Sequence, residues 1–218
     1  MHLPELLDRT VSLLYPQRCL GCADLVEYDD LFCRSCPGRA AGPLTLPFSH
    51  RLAGVAAVYE YKGHGRGLVW AIKAGERRVN YILGYDMHAL INDHWGAVSF
   101  GAIVPVPATQ TKLEAQGFNH AELLARELGR QTGIPACPQA LVRAEGSLIQ
   151  HSLDRSKRRE NAERSYQTGE AGELAGKTIL LVDDLLTTGA TLAACAERLL
   201  ESETASVYAI AAATTPSR

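Results

Sequence analysis

Two kinds of apolar patterning alternate along this chain. The runs 52–61 (LAGVAAVYEY), 101–107 (GAIVPVP), 140–144 (ALVRA), 177–184 (KTILLVDD) and 205–214 (ASVYAIAAAT) are short and nearly continuous in small or branched apolar residues. That is the pattern of strands buried on both faces. Between them the apolar positions move to helical spacing. Leu68, Val69 and Ile72 share one side of a helix over 65–75. Val79, Ile82, Leu83, Met87, Leu90 and Ile91 do so over 77–95, and Leu192, Cys195, Ala196 and Leu199 over 189–202. A further helix over 119–133 is bracketed by Asn119 as N-cap, with Glu122 three residues on, and by Gly133 as a stop. Leu3, Leu6, Leu7, Val11 and Leu14 predict a short amphipathic helix at the N-terminus that packs on the body of the protein.

Strands alternating with helices predict an α/β fold with a mostly parallel sheet flanked by helices. Such sheets bind ligands beyond the carboxyl ends of their strands. Pro105, Pro107, Asp183 and Asp184 fall at those ends. The composition suits such a core: 46% of the residues are hydrophobic and 21% charged. A formal net charge of −2 excludes a generally basic nucleic-acid binder. No run reaches the roughly 18 apolar residues of a membrane span, and the first residues lack a basic signal-peptide region. The expectation is a cytoplasmic protein with no membrane insertion.

The front of the chain follows a different logic. Cys19, Cys22, Cys33 and Cys36 form two CxxC knuckles ten residues apart. This spacing suits a tetrahedral, structural zinc site with four thiolates and no open position for chemistry. A redox pair is the alternative, but it is usually a single CxxC at the start of a helix. The intervening stretch 23–32 reads as a hairpin. Pro37 to Pro47, with three prolines and two glycines, reads as a linker. The chain is therefore divided into an N-terminal module, 1–45, and a larger domain, 46–218. Cys137 and Cys195 read as small core residues.

Candidate chemistry concentrates in 178–192, TILLVDDLLTTGATL. A buried strand meets two aspartates, then a short loop of small hydroxylated residues, then a helix. The hydroxyls of Thr187, Thr188 and Thr191, the backbone freedom of Gly189 and the helix N-terminus make a cradle for a phosphate monoester. Asp183 and Asp184 cannot bind that phosphate. They suit vicinal hydroxyls or a hydrated magnesium ion beside it. Phosphate plus diol describes a ribose 5-phosphate. The plainer alternative is a pair of acids capping a helix.

This stretch resembles the phosphoribosyl pyrophosphate signature of the type I phosphoribosyltransferases. The resemblance implies that Asp183 and Asp184 meet the ribose hydroxyls as catalytic residues, and that Leu186, Thr187, Thr188, Gly189, Ala190 and Thr191 hold the 5-phosphate. Segments 59–75, 103–125 and 148–166, in that order behind the four-cysteine module, resemble the ComF family over residues 11–214. That family comprises phosphoribosyltransferase-like proteins associated with DNA uptake in competent bacteria. The likeness implies a pyrophosphate loop at Ala108, Thr109 and Lys112, and a flexible basic hood at 154–164 that includes Arg158, with Gln150 a further matched position of the lid. It implies ligand positions at Lys62 and Lys73, and magnesium bound with the ligand. Gln116 stands where the family carries a basic residue, and His120 where it carries glutamine. Three readings follow: a phosphoribosyltransferase acting on phosphoribosyl pyrophosphate, an accessory binding a nucleotide or single-stranded DNA, and a scaffold for competence-machinery proteins. Aromatic residues are only 6%, which argues against an autonomous single-strand platform.

Overall fold

The computed structural model describes residues 16–36, 40–44, 51–61, 65–143, 166–169 and 174–215. In chain order the strands are β1 (Ala40–Pro43), β2 (Gly54–Glu60), β3 (Ala102–Pro105), β4 (Leu141–Arg143), β5 (Tyr166–Thr168), β6 (Thr178–Leu186) and β7 (Ser206–Thr214). The helices are α1 (Gly65–Lys73), α2 (Arg77–Trp95), α3 (Gln110–Gln116), α4 (His120–Thr132) and α5 (Ala190–Glu201). Five strands form one sheet in the order β1-β2-β7-β6-β3, parallel except for β1. β4 and β5 form a separate antiparallel pair.

The continuous apolar runs bury both faces of the sheet. Side chains of a strand alternate between faces, and the two cores divide accordingly. Ile179 and Leu181 of β6 pack with α5, β4 and β5, whereas Leu180 and Val182 pack with α1, α2 and α4. β7 divides the same way, with Ala209 and Ala211 on the first side and Ile210 and Ala212 on the second. The helix stripes are buried as their spacing requires: Leu68, Val69 and Ile72 on α1, and Leu192, Cys195, Ala196 and Leu199 on α5. Among the described residues no helix is long and apolar enough to cross a membrane.

The structure departs from the sequence expectations in places that matter for the site. Ala40–Pro43, within the stretch read as a linker, is an edge strand antiparallel to β2. Residues 23–32 form no hairpin; the local pairing is a single antiparallel bridge between Arg18 and Leu25. Residues 108–112 are only partly loop. Thr109 caps α3 by accepting from the Lys112 backbone N–H at 3.1 Å, so Lys112 stands in the helix's first turn. Asn119 caps α4 by accepting from Ala121 N–H at 3.2 Å, while Glu122 pairs with Arg126 at 2.8 Å instead of reaching back. The predicted N-terminal helix, Lys62, Gln150, Arg158 and the rest of the predicted hood lie outside the described residues.

A phosphate-cradle rim and a four-cysteine cluster

The rim owes its form to the stagger of three strands. β3 makes its last pairing at Pro105 with Val182, and Val106 N–H donates to the Val182 carbonyl at 2.9 Å. Beyond it the ladder ends: the Val106 carbonyl accepts from Asn119 Nδ2 at 2.9 Å and not from β6. On its other side β6 continues with β7 as far as Leu186 and Thr214. Asp183 to Leu186 therefore project past β3 and leave an open strand edge. The N–H of Asp184 points to that edge, and the side chain of Asp183 takes it: Oδ1 accepts at 2.9 Å. A local carboxylate thus replaces the missing strand as hydrogen-bond partner. The aspartates lie inside β6, which runs two residues past the strand end expected at Asp184.

Both aspartates are half-buried. Burial and the neighbouring Asp184 carboxyl push Asp183 well above the usual carboxylate range. Lys112, though exposed, is near enough to oppose that shift electrostatically. α3 therefore carries the predicted cation toward the acid pair. Ala108 and Thr109 lie between β3 and α3, half-buried. Beside them Asn119 donates from Nδ2 to the Val106 carbonyl at 2.9 Å. His120 is buried, stacks edge-on with Phe118 and donates from Nε2 to the Lys73 carbonyl at 3.2 Å. His120 and Phe118 thus tie the α3–α4 turn to the end of α1. Lys73 is brought to this corner by its backbone, with its side chain exposed.

After Leu186, whose side chain is buried, Thr187 and Thr188 are exposed. Gly189 has φ +80°, a left-handed conformation that costs other residues about 1 kcal/mol or more. This turn aims the chain back so that α5 begins at Ala190. Thr188 Oγ1 accepts from Ala190 N–H at 3.4 Å, and no side chain caps Gly189. Asp183, two residues on from Leu181, emerges on the face that α5 covers, and Asp184 on the opposite face. Two residues with no sequence signal meet on the α5 face. Tyr166 of β5 is buried, and Arg143 of β4, its cross-strand neighbour, donates to the Tyr166 hydroxyl at 3.3 Å.

The four cysteines form a second constellation. Their Sγ atoms all lie within 4.8 Å of one another, with Cys22 and Cys33 3.6 Å apart. Four thiolates around zinc at about 2.3 Å stand roughly 3.8 Å apart, so the cluster fits a zinc ion. Cys19 Sγ accepts backbone N–H bonds from Gly21 and Cys33, both 3.3 Å. Burial pushes the Cys19 thiol up, but the N–H groups of Cys33, Cys22 and Gly21 outweigh it and bring it down to about 6. These contacts favour the thiolate a metal needs. The module is docked on α1 and α2. A Cβ on Gly67 would fall 1.9 Å from the Leu20 carbonyl oxygen, so only glycine permits this approach. Arg78 donates to the carbonyls of Tyr28 (2.8 Å), Glu27 (3.5 Å) and Asp30, and Phe32 packs on Tyr59 with ring centres 5.6 Å apart.

With this geometry in place, comparison with known proteins shows what the chain is similar to. Residues 113–218 match the phosphoribosyl transferase domain family, and the rim lies within that match. The chain is similar to two named proteins. It is 33% identical over 92 residues to Competence protein F of Haemophilus influenzae, covering 42% of this chain and 40% of that protein. It is 31% identical over 105 residues to DNA utilization protein YhgH of Escherichia coli K12, covering 48% and 45%. The chain thus spans less than half the length of these relatives. Over 100 residues it is 37% identical to an adenine phosphoribosyltransferase of Marinomonas sp., covering 46% and 51%. Among solved structures it resembles the adenine phosphoribosyltransferase of Saccharomyces cerevisiae at 16% identity and TM-score 0.44, over 64% of this chain and 70% of that one.

Proposed function

We propose that the β6–α5 rim binds phosphoribosyl pyrophosphate, or a related ribose 5-phosphate ligand, and that the protein is a phosphoribosyltransferase serving DNA uptake. The observation that carries this reading is the stagger that leaves Asp183 and Asp184 half-buried at an open strand edge, just before the start of α5, within the stretch that matches the phosphoribosyl transferase domain family. The carboxylates accept hydrogen bonds from the 2′ and 3′ hydroxyls of the sugar. Thr187, Thr188, Gly189, Ala190 and Thr191 receive the 5-phosphate, while Leu186 contributes backbone only. Ala108, Thr109 and Lys112 face the pyrophosphate end.

In the reaction a ring nitrogen attacks the anomeric carbon as its bond to pyrophosphate oxygen breaks. Asp183 and Asp184 hold the ribose while positive charge grows on that carbon, and Lys112 offsets charge on the departing group. Asp183 and Asp184 supply the hard oxygen donors that suit magnesium alongside substrate phosphates, and such an ion would neutralise pyrophosphate. The clustered thiols of the cysteine module suit a structural zinc and a reducing, cytoplasmic setting.

The link to DNA uptake comes from the relatives' names, Competence protein F and DNA utilization protein. The alternative, a non-catalytic accessory that binds single-stranded DNA or competence-machinery proteins, receives little support from the cysteine module. Among the described residues of the module, Asp24, Glu27, Asp29 and Asp30 are exposed against Arg18 and Arg34. Such a surface repels a phosphate backbone. The test is to incubate the full chain with phosphoribosyl pyrophosphate, magnesium and a panel of purine and pyrimidine bases, and to measure pyrophosphate. Release with one base supports the transferase. Ligand binding without release from any base, together with salt-sensitive capture of single-stranded DNA, supports the accessory.

A further inference from the structure

The four cysteine sulfurs differ in what can reach them. Cys19 and Cys36 are each 4% exposed, and Cys19 Sγ holds the backbone N–H groups of Gly21 and Cys33. Cys22 is exposed and Cys33 half-buried. These two sulfurs stand 3.6 Å apart, and they belong to different knuckles. Closing to a disulfide asks for an approach to about 2.05 Å, a small movement for a side chain at the surface. The segment between them is held from outside. Leu31 is buried in the core shared with α1 and α2, and Arg78 donates to the carbonyls of Glu27, Tyr28 and Asp30. The ends of this loop are thus kept together by contacts that use no cysteine.

We propose that Cys22 and Cys33 are an oxidation site for hydrogen peroxide, closing a disulfide that takes over from the metal as the link between the two knuckles. Oxidation of a cysteine follows its exposure as well as its thiolate character, so Cys22 meets the oxidant first. Its thiolate attacks one peroxide oxygen. The O–O bond breaks, hydroxide leaves and Cys22 becomes a sulfenic acid. The Cys33 thiolate then attacks the Cys22 sulfur, the S–O bond breaks and a second hydroxide leaves. Two electrons pass from the two sulfurs to the peroxide, and both hydroxides take up protons from the solvent. Cys19 is the poorer partner for the second step, because N–H groups that stabilise a thiolate also lower its nucleophilicity. Cys36 is shielded by burial. The metal is left with two of its four ligands and is released. A dithiol reductant reverses the exchange and restores the four-thiolate set. This switch is independent of the sugar-phosphate rim.

The experiment treats the full chain with hydrogen peroxide beside a colour-forming zinc chelator. The chain is then cleaved without reduction at the acidic residues between the knuckles, Asp24, Asp29 and Asp30, and the products are mapped by mass. One zinc should be released per disulfide formed. Peptides of the two knuckles should be joined through Cys22 and Cys33, lighter by two hydrogens than the reduced pair. The oxidised, zinc-free chain should keep residues 16–36 resistant to protease, whereas the chelated, reduced chain should not. Cys22→His keeps a metal ligand in place, as in sites of three cysteines and one histidine, and removes the exposed sulfur. It should retain its zinc over the time in which the wild type loses half. A disulfide within either knuckle, or sulfonic acid at Cys22 without a disulfide, overturns the inference, as does an oxidised chain cleaved as fast as the chelated one. Zinc loss from Cys22→His at the wild-type rate does the same; should that variant hold no metal, the wild-type map decides alone. A chain purified without zinc overturns the zinc reading, while the disulfide map still tests the oxidation site.

Discussion

The cysteine module and the β6–α5 rim reach order by opposite means. The module's described core is slight: Leu31 is buried with Cys19 and Cys36, and its other contacts are backbone bonds, the Arg78 clamp and the packing of Leu20 and Phe32 on the larger domain. So small a segment needs an added staple, and the thiols are already gathered to take one. The rim, by contrast, stands on two cores that bury both faces of the sheet. It can therefore carry groups that cost stability: two adjacent acids, a left-handed glycine and a helix end without a side-chain cap. The difference teaches where function can reside. A module that depends on its metal for shape has no coordination position to spare, whereas a rim supported from below can hold unneutralised charge ready for a ligand.

Metal removal should separate the two regions most sharply. Structural zinc contributes about 10–16 kcal/mol of apparent binding energy in small modules. Metal analysis should find one zinc per chain. Chelation, or Cys33→Ser, should release it and open residues 16–36 to protease while ribose 5-phosphate binding persists. Loss of ligand binding in step with zinc would mean the regions are one unit. Next in size, Asp183→Asn with Asp184→Asn should weaken sugar-phosphate binding at least about 100-fold, since two hydrogen bonds to charged groups are worth roughly 3–6 kcal/mol together. Zinc content should stay at the wild-type level and the thermal midpoint should not fall, because an amide oxygen at 183 still accepts from the 184 N–H.

A smaller effect is expected at the joint between the regions. Arg78→Met removes the donors that hold the Tyr28, Glu27 and Asp30 carbonyls and should cost about 1–3 kcal/mol, read as faster proteolysis of the module with the rim still functional. Smallest is the single change Asp183→Asn. The folded-state pKa of Asp183 is raised, so the folded protein holds a proton that the unfolded chain releases. Its stability is fully present below the ordinary carboxylate range and is lost as pH rises through the folded value. Replacing the acid by asparagine removes that loss. The thermal midpoint at neutral pH should rise by about 2–4 °C, corresponding to roughly 1 kcal/mol in a chain of this size, and the gain should vanish in acid. An unchanged midpoint across pH would show that the acid pair carries no such penalty.

How much of this was legible in the sequence depended on whether the cause was local. The four cysteines span Cys19–Cys36, and their spacing alone announced the cluster. Helix α2 appears over 77–95 as its apolar stripe predicts, because Val79, Ile82, Leu83 and Met87 are buried by that stripe. Helix α3 was missed since none of its residues is buried and no stripe exists to read; the signals were Thr109 before it and Gly117 after. β1 has no apolar alternation, and only its pairing to β2 makes it a strand. The length of β6 was underestimated because its last residues are held by β7, whose partner residues Ala211 to Thr214 lie far along the chain. The contact of Arg143 with Tyr166 was invisible for the same reason: their meeting is a product of the β4–β5 pairing, not of any motif.

The most direct measurement of the central claim is a calorimetric titration of the full chain with phosphoribosyl pyrophosphate, with and without magnesium. Saturable one-to-one binding that strengthens with magnesium and disappears in the Asp183→Asn, Asp184→Asn variant is the predicted result. The account is contradicted if the wild type gives no binding heat, or if the double variant binds as tightly as the wild type.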